Sequence, residues 1–201
     1  MFPGTEQKET DEPASSRRRP QYDGLRVNRN EYLALPDDGF LYDMIGGVLR
    51  VSPSPLYEHS YAQGSFYQLL RNFLDARPLG EAVCETDVFL PDGGDVLRPD
   101  ISFITNERLH IVRGHIHGAP DLVVEFLSDR TAARDLGIKS ERYLQNGVRE
   151  YWLPDPRDRS LRVRYGVDLR WEEVPGPELE SRVLPGLVLA AERIFRPTPT
   201  N

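Results

Sequence analysis

Residues 122–127 read Leu122-Val123-Val124-Glu125-Phe126-Leu127, and this short stretch decides the fold. A near-continuous apolar run of this length is typical of a central strand that is covered on both faces. Glu125 interrupts the run. Because burying a lone carboxylate is costly, Glu125 should either have a partner or bind a cation. The sequence therefore predicts a central strand that carries a functional acid.

The segments around this strand alternate between strand and helix patterns. Gly46-Gly47 predicts a tight turn between two strands within residues 40–51. Helical spacing of apolar residues marks 56–76 and 131–146, whereas strand patterns mark 83–90, 98–105, 150–153, 161–165 and 169–174, the last two as a hairpin around Gly166, and residues 187–195 close the chain. This order predicts an α/β or α+β domain with a mixed central sheet flanked by helices.

Composition places the chain among globular proteins with one main domain. It has 201 residues, of which 39% are hydrophobic and 28% charged. Residues 1–24 are polar and charged, so we expect a disordered tail followed by a folded domain over 25–198. The N-terminus lacks an apolar core segment, and no apolar run is long enough to span a bilayer. With a single cysteine, Cys84, these features favour a reducing cytoplasm.

The formal net charge of −7 limits how the chain could bind nucleic acid. Affinity for phosphates usually shows as a basic excess, so bulk electrostatic attraction to DNA is not expected. A nuclease is still compatible with this charge, because bound divalent cations would neutralise a carboxylate cluster.

Asp100 is the expected companion of Glu125. It precedes Ile101-Ser102-Phe103-Ile104, a predicted strand, and the two carboxylates converge if the two strands are neighbours. Such a pair is the hard oxygen environment that Mg²⁺ prefers.

The next helix adds a cation to this pair. Asp135 and Lys139 lie four residues apart and share one helix face, which taken alone predicts an ordinary surface ion pair. The short loop after Glu125 also allows Lys139 to reach the end of the strand, where its ammonium could hold a phosphate oxygen or orient the attacking water.

The ordered series of short motifs resembles a known family. The series comprises Pro99-Asp100, Pro120-Asp121-Leu122-Val123-Val124-Glu125, Asp135-Leu136-Gly137-Ile138-Lys139, Tyr143, Gly147-Val148-Arg149-Glu150-Tyr151-Trp152 and Asp155-Pro156. It resembles the Uma2 group of restriction endonucleases, which is similar to the PD-(D/E)XK phosphodiesterases. The resemblance runs from about Tyr42 to Phe195.

The resemblance implies a restriction-endonuclease-like fold, a divalent metal (Mg²⁺ or Mn²⁺) and hydrolysis of phosphodiester bonds in DNA. By position, Asp100 and Glu125 would ligate the metal. The superfamily lysine follows the acid by two residues, where this chain has Leu127. The resemblance places that lysine on the next helix, at Lys139.

Several positions leave alternatives open. Members of the group commonly read Asp-Gly-Glu where this chain reads Gly46-Gly47-Val48, either as a supporting acid or as a turn. His59 could assist near the metal or simply be satisfied at its helix end. His110, His115 and His117 could bind a transition metal or be solvated on a loop, and Cys84 suits core packing better than catalysis.

Three functions remain compatible with these residues. The first is a metal-dependent endonuclease acting on DNA, the second a catalytically inactive module of the same fold that binds or supports a partner, and the third a hydrolase of small phosphodiesters. A homodimer is expected, because most soluble oligomers are symmetric and cutting both strands benefits from two sites.

Overall fold

The computed structural model describes residues 19–91 and 94–196. The helices are α1 (Arg29–Leu33), α2 (Tyr57–Ala76), α3 (Ala132–Arg134), α4 (Ser140–Gln145) and α5 (Ala191–Ile194), with a 3-10 turn at Asn106–Ile111 and a π turn at Asp135–Lys139. The strands are β1 (Leu41–Ile45), β2 (Val48–Ser52), β3 (Gly80–Cys84), β4 (Val88–Phe89), β5 (Val96–Leu97), β6 (Ile101–Thr105), β7 (Val112–Arg113), β8 (His115–Ile116), β9 (Leu122–Val124), β10 (Glu150–Trp152), β11 (Arg162–Val167), β12 (Arg170–Pro175), β13 (Glu178–Glu180) and β14 (Val188–Ala190).

The central sheet is mixed, as predicted. Its order is β12-β11-β10-β9-β6-β3, in which β9 and β10 run parallel and the other neighbours are antiparallel. All three residues of β9 are fully buried, which agrees with a strand covered on both faces. The register pairs Ile101 with Val124, so one step further along the two strands Asp100 comes opposite Glu125.

Side chains packed on both faces of the central sheet explain why β9 is fully buried. On one face α2 buries Phe66 and Leu70 in a cluster with Phe103 and Trp152. The opposite face contributes Val123 and Tyr151 to a second cluster that contains Tyr143 of α4. The alternation of side chains along β9 therefore directs Val123, and Glu125 after it, toward the face that carries α4.

A second sheet has the order β2-β1-β5-β4-β8-β7, and between β1 and β9 the chain passes from one sheet to the other five times. The predicted single strand over 83–90 is wrong. β3 ends at Cys84 in the central sheet, the chain turns at Glu85 (φ 48°), and β4 lies in the second sheet. The predicted strand over 98–105 likewise begins only at Ile101, since residues 98–100 return the chain from β5 to the central sheet.

Two further predictions need correction. The helix predicted over 131–146 is interrupted, because Gly137 has non-helical backbone angles inside the π turn between α3 and α4. The last hairpin does not turn at Gly166, which lies within β11. It turns at Asp168 and Leu169, both with positive φ, as a two-residue hairpin turn requires.

The first hairpin forms as predicted, with β1 and β2 antiparallel around Gly46 and Gly47 at φ 58° and 72°. Residues 1–18, most of the tail predicted over 1–24, lie outside the described residues. Asp23 accepts a hydrogen bond from the Val51 amide, and the Gly24 amide donates to the Leu49 carbonyl. Within the described part of the chain, every helix is too short or too polar to cross a membrane.

Candidate active site

Asp100 and Glu125 meet where the chain leaves the central sheet. Asp100 immediately precedes β6 and Glu125 immediately follows β9, and the antiparallel register brings them opposite each other. The Phe126 amide donates to Oδ2 of Asp100 (2.6 Å), while the Glu125 amide donates to the carbonyl of Trp152 (3.0 Å). The backbone on both sides of the carboxylate pair is thus held by hydrogen bonds.

Lys139 binds Glu125 directly. Its Nζ lies 2.5 Å from Oε1 of Glu125, 3.6 Å from Asp135 and 3.8 Å from Asp43, and the side chains of both Lys139 and Glu125 are about 95% buried. The Tyr143 hydroxyl donates to the same Oε1 (2.8 Å). The ion pair between Asp135 and Lys139 is therefore buried, and the simple expectation of a surface pair is wrong.

The interrupted helix explains how Lys139 reaches this position. Backbone carbonyls at the kink lose regular helical partners, and side chains from the central sheet supply hydrogen bonds. The Tyr151 hydroxyl donates to the carbonyl of Asp135 (3.0 Å), and Nη1 of Arg164 donates to that of Leu136 (3.1 Å). Strands β10 and β11 thus fix the π turn that carries both Asp135 and Lys139.

Charge in the cluster is unbalanced toward acid. Burial opposes the Lys139 ammonium, but attraction to Asp43, Glu125 and Asp135 outweighs it, so the pKa of Lys139 is raised and the group stays protonated. Burial raises the pKa of Glu125 well above its ordinary value, with Lys139 opposing and the neighbouring acids adding to the rise. The pKa of Asp135 is raised for the same reason. An added cation would relieve this repulsion.

Asp43 is a member of the cluster that the sequence analysis missed. This β1 residue is buried, accepts from the Arg98 amide (2.9 Å) through Oδ1, and lies 3.3 Å from Arg134 Nη1 through Oδ2. Its neighbours Tyr42 and Met44 are buried too. The argument applied to Glu125, an acid within an otherwise apolar run of sequence, could have found Asp43 in Leu41-Tyr42-Asp43-Met44-Ile45.

These residues line one cavity of about 650 Å³. Asp43, Asp100, Glu125, Asp135 and Lys139 all contribute to its wall. Residues 46–48, where this chain departs from Asp-Gly-Glu, are not among the lining residues. Gly46 and Gly47 form the turn, and the Gly46 amide donates to Asp95 (2.7 Å). The departure therefore alters a turn and not the cavity.

His59 of α2 is the only one of the four histidines whose ring reaches the carboxylate pair. Its Nε2 lies 3.3 Å from Oδ2 of Asp100, and its Nδ1 is buried with no hydrogen-bond partner among the described residues. Burial lowers the pKa of His59, but the hydrogen bond and charge of Asp100 outweigh it, so the net shift is upward.

The other three histidines and the cysteine lie apart from this cluster, and His110 and His115 lie in the 3-10 turn and in β8, not on the predicted loop. His115 and His117 both pack against Phe89, at 5.4 and 5.1 Å between ring centroids, and His110 is exposed. Burial, with Glu85 and Asp100 adding to it, raises the pKa of Cys84 to about 11, so the thiol is protonated at neutral pH. This matches the packing role expected for it.

Whether the residues suit a divalent metal depends on the donor set. Among residues 19–91 and 94–196, no group of three or more His, Cys, Asp and Glu side chains has a geometry that could hold a metal. Two carboxylates are nevertheless enough for Mg²⁺, which keeps several waters and takes further oxygens from a substrate phosphate. The contacts above use Oδ2 of Asp100 and Oε1 of Glu125, and each side chain has a second oxygen. The acidic excess and the oxygen donors fit such a cation.

Comparison with known proteins agrees with this architecture. The model of the Uma2 family, described as "Putative restriction endonuclease", matches residues 29–192. The chain belongs to the Uma2 family. A search of curated proteins finds none that matches the chain.

A solved structure shares the fold of this Uma2 chain. It is the crystal structure of a protein titled a putative nuclease belonging to DUF820, from Anabaena variabilis ATCC 29413. The two chains superpose with a TM-score of 0.72 and are 20% identical, over 84% of this chain and 97% of that chain. At this identity the likeness shows the fold. The predicted family and the predicted nuclease fold are both confirmed.

Proposed function

We propose that this Uma2 chain is a metal-dependent endonuclease that hydrolyses phosphodiester bonds of DNA. Asp100 and Glu125 would hold Mg²⁺ or Mn²⁺, and Lys139 would position the attacking water or a phosphate oxygen. The observation that supports this most is the convergence, in one cavity, of two carboxylates from neighbouring strands with a buried ammonium 2.5 Å from one of them. Membership of the Uma2 family supports the same reaction.

Each side chain has a distinct task in this proposal. When bound, the divalent cation supplies electrophilic activation of the phosphodiester and a more acidic water. Lys139, protonated because three carboxylates surround it, donates hydrogen bonds to water or to a phosphate oxygen as negative charge develops. Tyr143 donates a hydrogen bond to Oε1 of Glu125 and thereby restricts rotation of that carboxylate.

A plasmid cleavage assay with Mn²⁺ tests the proposal. The wild-type protein should convert supercoiled DNA to nicked or linear forms, and Glu125→Gln should reduce the rate at least about a hundredfold, since it weakens metal binding and the contact with Lys139. Glu81→Gln is the matched control, because Glu81 is exposed on β3, three residues before the end of that strand nearest the site. Equal cleavage by wild type and Glu125→Gln would sink the catalytic assignment.

A further inference from the structure

The catalytic cluster lies at the floor of its cavity, which restricts the nucleic acid that can reach it. Glu125 and Lys139 are each only 4% exposed overall. The cavity volume of about 650 Å³ falls in the range of about 300–1,000 Å³ that encloses one small ligand. A nucleotide of a duplex is paired and stacked, so it can enter such a space only after it is flipped out, which costs its pairing and stacking energy. An unpaired strand can insert a nucleotide and its phosphate.

The start of helix α2, where Leu56, Glu58 and His59 line the cavity, also exposes apolar surface that suits unpaired bases. Leu56, which lines the cavity, is 72% exposed, and the adjacent Tyr57 is 61% exposed. One helical turn further, Tyr61 is exposed as well, and the rings of Tyr57 and Tyr61 lie 6.3 Å apart. We call Tyr57 and Tyr61, which follow the lining residue Leu56 on α2, the aromatic rim. Solvent-exposed aromatic rings beside a nucleic-acid site are the usual platforms on which unpaired bases stack.

One cation lies beside the Tyr57 ring, and another lies on the cavity wall. The guanidinium of Arg196 lies 5.6 Å from the centre of the Tyr57 ring. Arg130 is exposed on the cavity wall and forms no ion pair with any residue that the structure describes, so it is available for a phosphate. Glu58 and Asp129 also line the cavity, and Asp129 is paired with Arg157. The positive charge available for phosphates is thus local and small.

The net charge of the whole chain also favours an unpaired strand over a duplex. With a net charge of −7, the protein as a whole carries the same sign of charge as DNA, whereas non-specific affinity for duplex DNA depends on basic groups that neutralise phosphates. Stacking on aromatic rings needs no such groups, but it requires bases that are not already stacked in a duplex.

From the buried cluster on the cavity floor, the aromatic rim and the two local cations, we propose that the preferred substrate is an unpaired DNA strand whose bases stack on Tyr57 and Tyr61. A nucleotide next to the stacked bases enters the cavity and presents its phosphate to Asp100, Glu125 and Lys139. The inference rests on the proposed nuclease function for the reaction, and it adds the substrate class and a base-binding site.

Binding can be measured separately from cleavage. Fluorescence anisotropy would use a labelled single-stranded DNA 20-mer and its duplex, with Glu125→Gln as the parent protein so that no strand is cut. The single strand should bind at least about tenfold more tightly than the duplex. Adding Tyr57→Ala should weaken single-strand binding about tenfold, because a base stack is lost, with little change for the duplex. Adding Tyr57→Phe keeps a ring and should preserve affinity.

Leu33→Ala in the same parent is the matched control, because Leu33 is an exposed apolar residue on another helix. Equal affinity for single strand and duplex, or Tyr57→Ala binding like the parent, would overturn the inference. In a parallel assay with Mn²⁺, the wild-type protein should cut the single strand faster than the duplex. If neither DNA is cut while the Tyr57-dependent preference persists, the nuclease proposal fails and the base-binding site stands.

Discussion

Lys139 is one of two lysines in a chain that otherwise relies on arginine, and it is the one within the predicted domain. The surroundings explain this choice. Its ammonium is enclosed by Asp43, Glu125 and Asp135, with the closest oxygen at 2.5 Å. An ammonium is compact and carries donors that can point to all three acids, whereas a guanidinium is planar and larger. We therefore expect Lys139→Arg to lose cleavage in the plasmid assay, although it keeps the positive charge.

Replacing Lys139 by methionine should also destabilise the fold. The change leaves three buried carboxyl groups without their common cation, and removing one partner of a buried ion pair typically costs about 3–5 kcal/mol. Urea denaturation at neutral pH should show a loss of that order in the free energy of unfolding, together with loss of cleavage. Arg193→Met, at an exposed helical position, is the matched control. If Lys139→Met unfolds at the same urea concentration as the wild type, Lys139 does not stabilise the three buried carboxyl groups as proposed.

The residues of the candidate site differ in how far they could be predicted from the sequence. An acid in an apolar strand identified Glu125, and strand pairing identified Asp100. Lys139 depended mainly on family resemblance, since helical spacing alone predicts a surface pair with Asp135. Asp43 escapes the sequence analysis because residues 40–51 are predicted only as a hairpin, although both neighbours of Asp43 are buried.

At the scale of elements, the segments with one continuous environment were predictable and the crossings were not. Helix α2 and strand β9 each keep one pattern of burial along their length. Between β3 and β4 the apolar alternation continues while the chain changes sheets at Glu85, without a glycine or proline to mark the turn. The π turn escapes prediction for a related reason, since tertiary hydrogen bonds from Tyr151 and Arg164 stabilise it.

Asp121 determines how β9 meets β6. It immediately precedes β9, its amide donates to Phe103, and its carboxylate accepts from the Thr105 amide (2.8 Å). Arg108 and Arg149 bind the same side chain at 2.9 and 2.7 Å. Burial alone would raise the pKa of Asp121, but the Thr105 hydrogen bond and the two arginines outweigh it and lower the pKa below the ordinary 3.8.

Asp121→Asn should therefore reduce stability in a pH-dependent way. A lowered folded-state pKa means that the carboxylate stabilises the fold above the unfolded-state value of 3.8 and that this contribution disappears as pH falls through the folded-state pKa. We expect a loss of about 2 kcal/mol at pH 7, typical of a charged hydrogen bond, that shrinks toward zero below about pH 4. Urea midpoints measured from pH 7 to pH 3 would check this.

Asp75→Asn serves as the control, because Asp75 is exposed and forms a surface pair with Arg71. Surface pairs contribute about 0–1 kcal/mol, so this variant should follow the wild type across the range. A loss for Asp121→Asn that stays constant with pH would argue against stabilisation by the charged carboxylate.

At the scale of the whole molecule, the acidic cluster links stability to a ligand. Both sheets contribute residues to the cavity. Asp43 of β1 and Arg98, which follows β5, come from the second sheet. Asp100 and Glu125 come from the ends of strands in the central sheet. A cation bound between them would favour the folded state, because an unfolded chain cannot present these oxygens together. This separates a metal-dependent nuclease from an inactive module of the same fold, since the latter needs no metal.

Thermal unfolding with and without Mn²⁺ measures that link. At a free Mn²⁺ concentration of about one hundred times Kd, a single site adds about 2.7 kcal/mol, which for a domain of this size raises Tm by roughly 5–10 °C. Asp100→Asn should lose most of the shift while Asp75→Asn keeps it, because only the first removes a proposed ligand. A Tm that does not respond to Mn²⁺ in the wild type would favour the inactive module. An equal shift in Asp100→Asn would place the ion elsewhere on the protein.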